Sequence, residues 1–304
     1  MGTVLLLGAH GQVGWELQRS LAPLGDVVAL GRHGREGLCG DLLDLEGLRQ
    51  SIDALRPTII VNAAAYTAVD KAEQEPEFAH ALNARAPGVL AAAAQEVGAL
   101  LVHFSTDYVF DGSGQTPWTE NAPAQPLSTY GQTKLEGEQC IRANCERHLI
   151  FRTSWVHSAR GNNFAKTMLR LAQEREQLRV IDDQIGAPTG AELIADVTAH
   201  AVRQALQDSQ LSGLYHLAAA GEVSWHGYAR FVLDTARELQ PTLALRVREM
   251  VPIPTSAYPT PARRPLNSRL DTSHLRRTFG LSLPPWQAGV RRMLAQTLAP
   301  TTHP

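Results

Sequence analysis

The sequence predicts an α/β protein: a Rossmann doubly wound parallel sheet followed by a smaller C-terminal substrate-binding lobe. Three observations carry this. Apolar residues 3–7 run into a glycine-rich turn, Gly8-Ala9-His10-Gly11-Gln12-Val13-Gly14, and then into helical spacing. Strand and helix patterns keep alternating through the first half, the order that builds a parallel sheet. A further strand ends at Ser105, and Tyr130 and Lys134 follow, four residues apart. That spacing suits acid–base chemistry beside a bound nucleotide.

Residues 3–7 read as a buried strand, and residues 15–21 as the first helix. Gly8, Gly11 and Gly14 let the backbone turn tightly and the helix pack on the strand. His10, Gln12 and Val13 complete a loop whose N–H groups can meet a pyrophosphate at the helix N-terminus. Residues 27–30 form the second strand and end at Gly31-Arg32-His33. NAD-preferring folds usually place a carboxylate here for the ribose 2′-hydroxyl. Arg32, with His33 and Arg35 nearby, suits a 2′-phosphate instead. NADPH is therefore expected over NADH.

A short third strand then leads into the loop at Asp41 and Leu42. Residues 45–55 are the next helix, ended by Pro57. Residues 58–61 read as a buried strand that enters Asn62-Ala63-Ala64-Ala65-Tyr66-Thr67. The small side chains of Ala63, Ala64 and Ala65 let a cofactor lie close to the backbone. A long helix over about 78–97 carries Asn83, and residues 100–104 deliver Ser105. Ligands of such sheets bind at the carboxyl ends of the strands. The ends at Gly8, Asn62 and Ser105 therefore converge on one crevice.

The next helix begins near Tyr130, with Pro126 before it, Thr129 as its expected N-cap and Gln132 three residues on. Leu135 and Ile141 are expected to face the core, and Glu136 and Glu138 water. Tyr130 and Lys134 lie one turn apart on one face. The ammonium favours phenolate, which is expected to lower the tyrosine toward neutrality. A hydroxyl at the strand end, from Ser105 or Thr106, can hydrogen-bond a carbonyl that receives hydride.

Composition agrees. The chain has 304 residues, 44% hydrophobic and 19% charged, with a net charge of −2. Neither nucleic acid nor an anionic membrane is an expected partner of so balanced a charge. No apolar run reaches the length of a bilayer span, and the first apolar run is a strand, not a leader. Cys39, Cys140 and Cys145 show no metal spacing, which suits a reducing cytoplasm.

Several longer blocks resemble one family, the dTDP-4-dehydrorhamnose reductases of the extended short-chain dehydrogenase/reductases. They are residues 8–16, 39–41, 62–70 and 105–110, then 130–138, 152–156, 182–189 and 263–268. The resemblance spans nearly the whole chain. It implies reduction of dTDP-4-dehydro-β-L-rhamnose to dTDP-β-L-rhamnose, a precursor of bacterial surface polysaccharide. It implies Tyr130 as proton donor, Lys134 holding the ribose hydroxyls, Thr106 at the C4 oxygen and Asp107 toward the sugar. Trp155 matches the family's sugar-contacting tryptophan.

Residues 1–152 are then the NADP-binding domain, and 153–304 mainly the substrate lobe, with about 190–220 returning to the first. The Gly161-Asn162-Asn163 segment opens a helix to about 174, and Asn163 offers an amide to sugar hydroxyls. Residues 182–189 read as a binding loop. Helices are expected over 193–206, 225–239 and 286–298, and a strand over 214–217. A proline-rich stretch ends in Arg263-Arg264, and Arg263 is placed at the diphosphate of the dTDP-sugar. The tail after Pro300 is expected to fray.

Some family members dimerise around Mg²⁺ held by glutamates from three segments. Glu16 and Glu192 fall on two of them, but the third position is Gln296. An amide is a poorer Mg²⁺ ligand than a carboxylate. No metal ligand is therefore expected here, and a monomer is expected ahead of a homodimer.

Two other readings stay open. A GDP-keto-sugar epimerase/reductase needs further acid–base residues, often cysteine and histidine, and no cysteine lies between Ser105 and Tyr130. A non-catalytic nucleotide-binding regulatory subunit often loses the catalytic set, which is complete here.

Overall fold

The computed structural model describes residues 2–299. The expected fraying after Pro300 lies outside the described residues. The central sheet has six parallel strands. Five come from the first half: β1 (Gly2–Leu7), β2 (Gly25–Leu30), β3 (Ile59–Asn62), β4 (Leu100–Thr106) and β5 (His148–Thr153). The strand Gly213–His216 pairs with β5 at the far edge. The spatial order is Gly213–His216, β5, β4, β3, β1, β2. The chain reverses direction across the sheet between β1 and β3, and open parallel sheets bind ligands at such a switch point.

Both faces of the sheet are covered, so its strands read as nearly unbroken apolar runs. Val4, Leu6, Val61, Val102 and Phe151 face one layer, with Leu17 and Leu21 of α1 (Gln12–Leu21) and the helix Ala191–Ala205. Leu5, Leu7, Ile60, Leu101 and Ile150 face the other, against α2 (Leu45–Leu55) and the helices Ala86–Val97 and Thr129–Asn144. A third cluster gathers Leu169, Tyr228, Val232, Trp286 and Val290 from the helices Phe164–Glu174, Trp225–Leu239 and Trp286–Leu298, with Val180 from the strand Gln177–Ile181. The strands Gln177–Ile181 and Glu249–Ile253 pair in parallel beside it.

Four local expectations are corrected. The short strand before Asp41 is absent from the sheet: residues 31–40 turn back on themselves, with only an isolated Arg35–Leu38 bridge. The Cys39 N–H goes to Ser51 Oγ (2.7 Å) and not to a strand. The long helix through Asn83 widens into a π turn at Ala81–Arg85. Pro87 has no N–H to offer the Asn83 carbonyl, which breaks the regular ladder there. Ser128, not Thr129, caps the helix Thr129–Asn144, accepting from Gly131 N–H at 3.2 Å. Glu138, expected in water, is 1% exposed. It takes two hydrogen bonds from Arg152, Nε to Oε1 at 2.9 Å and Nη2 to Oε2 at 2.7 Å.

Candidate active site

A cleft of about 830 Å³ opens at the carboxyl ends of β1, β3 and β4 and is lined on its other side by Trp155, Gly161, Asn162 and Trp225 from the second half of the chain. Its floor begins at Gly8. With φ at +83° and Ala63 where a Cβ would sit (2.7 Å), this position requires glycine. Gly14 lies outside the lining but sets it: a Cβ there would stand 2.1 Å from the Gly8 carbonyl oxygen. The first helical turn can therefore approach the loop only without a side chain. His10, Gly11, Gln12 and Val13 line the cleft. Gly11 starts α1 with no side-chain cap, which leaves its first N–H groups for an anion.

Arg32 and His33 are exposed and line the cleft beyond β2. Arg35 does not join them, because its guanidinium pairs with Glu36 at 3.0 Å. Asp41, Leu42, Ala63, Ala64 and Ala65 also line the cleft. The donors and the small-residue cradle fit a dinucleotide with an added phosphate.

Ser105, Thr106, Asp107, Tyr130 and Lys134 share the same cleft. Ser105 and Thr106 are neighbours with different jobs. The Ser105 hydroxyl turns under the floor to Glu138 Oε1 (2.5 Å). Thr106 Oγ1 donates to Asp107 Oδ1 (3.1 Å) and accepts from Tyr108 N–H (3.2 Å). Of the two hydroxyls, that of Thr106 is the one against the Tyr130 phenol. Asp107 is pushed up to about 6 by burial, with the Ser268 and Thr106 hydroxyls offsetting part of the shift.

Burial also pushes the Tyr130 phenol up to about 12, against the Thr106 hydroxyl. This corrects the expected fall toward neutrality. Lys134 is 1% exposed, and its Nζ bonds to Phe104 O (2.6 Å) and His103 Nε2 (3.0 Å). Desolvation lowers it to about 8 despite Glu138. The charge that was to lower the tyrosine is itself disfavoured by the same burial.

Trp155, just after β5, stands at φ +49°, a left-handed conformation that costs a bulky side chain energy. Its indole stacks on Trp225, centroids 3.6 Å apart. Gly186 makes room, since a Cβ there would touch the Trp155 ring at 2.8 Å. Trp225 also lines the cleft, with its Nε1–H on Gln184 Oε1 at 3.0 Å. Nothing in its local sequence marks it; only the fold brings it beside Trp155. Tyr108, Thr67 and Val69 are further lining residues that spacing did not reveal.

Two expected ligands stand elsewhere. Asn163 caps the helix Phe164–Glu174 through Lys166 N–H and gives its amide to Ser158 O (2.7 Å) and Gln12 Oε1 (3.2 Å). Its neighbours Gly161 and Asn162 reach the lining instead. Arg263 is exposed and outside the lining. Arg264 beside it turns inward and holds Asp70 bidentately, at 2.8 and 3.1 Å. Among the described residues no three His, Cys, Asp or Glu side chains gather as metal ligands. Burial, then repulsion from Glu16 and Asp196, raises Glu192, and Gln296 is exposed.

Comparison with known proteins agrees with this geometry. Residues 2–299 match the family described as RmlD substrate binding domain. A dTDP-4-dehydrorhamnose reductase of Salmonella typhimurium is 58% identical, covering 98% of this chain and 99% of its own. One from Escherichia coli K12 is 56% identical over the same shares. A solved dTDP-4-dehydrorhamnose reductase from Bacillus anthracis, in complex with NADP, superposes with a TM-score of 0.88 at 34% identity. It covers 97% of this chain and 99% of its own.

Proposed function

Since the chain belongs to the dTDP-4-dehydrorhamnose reductase family, we infer that its cleft reduces dTDP-4-dehydro-β-L-rhamnose to dTDP-β-L-rhamnose. The protein is a nicotinamide-dependent oxidoreductase of dTDP-rhamnose biosynthesis. The observation that carries the reading is one cleft holding Thr106, Tyr130 and Lys134 beside the glycine turn. A nicotinamide dinucleotide supplies hydride when bound.

We propose that Gly8 to Gly14 cradle its pyrophosphate, Arg32 its 2′-phosphate, and Asp41, Leu42 and Ala63 to Ala65 its adenosine side. Thr106 Oγ1 hydrogen-bonds the C4 oxygen of the sugar. Tyr130, held protonated by burial, gives its phenolic proton to that oxygen as charge develops on it. Hydroxyl donors placed there are worth a few kcal/mol, of order 2–4, in the transition state. Lys134 holds the ribose side, Asp107 a sugar hydroxyl, and Trp155 with Trp225 the sugar face.

Loss of NADPH absorbance on adding the dTDP-keto-sugar tests the reaction. No loss with that substrate but loss with a GDP-keto-sugar would move the assignment to the epimerase/reductase. NADPH binding without turnover of either would favour the regulatory subunit. NADPH is assigned over NADH on Arg32, and equal or better kcat/KM with NADH would overturn that. We propose that no Mg²⁺ joins two copies, because exposed Gln296 stands where a carboxylate is needed, and that the protein is a monomer. A chelator-sensitive dimer in light scattering counts against both. Free thiols at Cys39, Cys140 and Cys145 suit the cytoplasm, and among the described residues no helix is long and apolar enough to cross a membrane.

A further inference from the structure

Lys134, in the lining of the cleft, has two hydrogen-bond neighbours at its Nζ, Phe104 O at 2.6 Å and His103 Nε2 at 3.0 Å. His103 is 1% exposed, and its other ring nitrogen, Nδ1, meets Asn62 Nδ2 at 3.2 Å. The Asn62 amide is oriented, because its Oδ1 accepts from Ala64 N–H at 3.1 Å. Its NH₂ end therefore faces the ring. An amide NH₂ only donates, so Nδ1 accepts, and a neutral imidazole then carries its proton on Nε2. That N–H is aimed at Lys134 Nζ. An ammonium has three donors and no acceptor, whereas an amine has a lone pair. As an amine, Lys134 can donate to Phe104 O and accept from His103 at once.

We propose that His103, fixed as its Nε2–H tautomer by Asn62, is a positioning residue that favours the uncharged amine of Lys134 over its ammonium. Burial acts in the same direction on both partners. The titratable and charged groups around Lys134 are Tyr130 and Glu138 on its own helix, His103 on β4 and Arg152 on β5. Glu138 alone favours the ammonium, and it is already held by Arg152 and by the Ser105 hydroxyl. Lys134 is then an exchangeable proton site behind Tyr130 and not a fixed charge. That consequence rests on the acid–base reading of Tyr130 and Lys134; the test does not.

The test needs no substrate, so it can fail while the reductase assay succeeds, or the reverse. Two-bond ¹H–¹⁵N spectra of the full chain, labelled at histidine, report the His103 tautomer. The ¹³Cε shift of Lys134, assigned by its loss in Lys134→Met, reports its titration midpoint. The expected results are an Nε2–H ring at about pH 9, above the Lys134 midpoint, and a midpoint raised by about one unit in His103→Phe. An Nδ1–H ring, an imidazolium, or an unmoved midpoint in folded His103→Phe overturns the proposal. If His103→Phe does not fold, His103→Gln replaces it. The glutamine amide can turn its oxygen to an ammonium, so the midpoint should again rise, and an unmoved one overturns the proposal.

Discussion

Tyr130 and Lys134 lie one helical turn apart, and the same burial raises one and lowers the other. A protonated phenol is what reduction needs, so Tyr130→Phe should cut kcat by about 10²- to 10⁴-fold. NADPH affinity, measured by fluorescence titration, should stay near wild type; retained turnover removes Tyr130 from the acid role. Asp107 gives a different prediction. Its pKa in the fold, about 6, lies above its ordinary value of 3.8, so the fold prefers the proton. That preference favours folding fully below about pH 4 and is lost as pH rises to about 6. Asp107→Asn escapes this loss and should unfold at a higher temperature than wild type at pH 8, by up to about 3 kcal/mol. The gap should close below pH 4, and an equal gap at both pH values counts against the account. Residue identities at the site were legible because strand ends and an i, i+4 pair are local patterns. The division of labour between Ser105 and Thr106 was not. It depends on Glu138, 33 positions away from Ser105 in the chain.

At the scale of elements, the turn from β1 into α1 was the most legible part of the chain. Gly11 and Gly14 answer to contacts within a few residues, as the 2.1 Å approach of Gly14 to the Gly8 carbonyl shows, while Gly8 also makes room for the distant Ala63. Gly14→Ala should force α1 off the loop, costing about 1–3 kcal/mol in chemical denaturation and weakening NADPH binding. Normal affinity would show that the loop does not need that close packing. The helix around Asn83 was read correctly in extent but not in shape. Its π turn answers to two remote demands. Asn83 gives its side chain to Tyr66 and Thr133, accepting from Tyr66 N–H at 2.9 Å and donating to Thr133 Oγ1 at 3.2 Å. Its carbonyl lies where a Cβ on Gly137 would come within 2.1 Å. Periodicity reports which residues are apolar, and it is silent about a carbonyl freed by proline and met by another helix.

At the scale of the molecule, the first half of the chain is tied to the second by polar contacts on both sides of the cleft, among them the bonds of Trp118 to Asn267, Arg269 and Asp271. Arg264 and the Ala262 N–H both reach Asp70 of the first half, the latter at 3.2 Å. Arg160 lies over the Trp15 ring at 4.1 Å, and Asn163 bonds to Gln12. Arg264→Met should raise KM for the sugar nucleotide severalfold and leave NADPH affinity unchanged. Its effect on stability should be only about 1 kcal/mol, because Asp70 is partly exposed. A change in NADPH affinity as large as that in KM would mean the tie supports the nucleotide domain instead.

The sequence by itself determined the parallel sheet, the nucleotide turn and the pairing of Tyr130 with Lys134. Each is written in residues close together along the chain. Only the tertiary structure decided that Glu138 is a buried partner of Arg152, that Trp225 stacks on Trp155, and that Arg264 and not Arg263 turns inward. It also decided that Asn62 and His103 stand behind Lys134. In each case the partner that fixes a side chain's role comes from a distant segment: 70 positions for the tryptophans, 194 for Arg264 and Asp70. Local spacing cannot carry that information, because burial and hydrogen-bond partners exist only once the layers have packed.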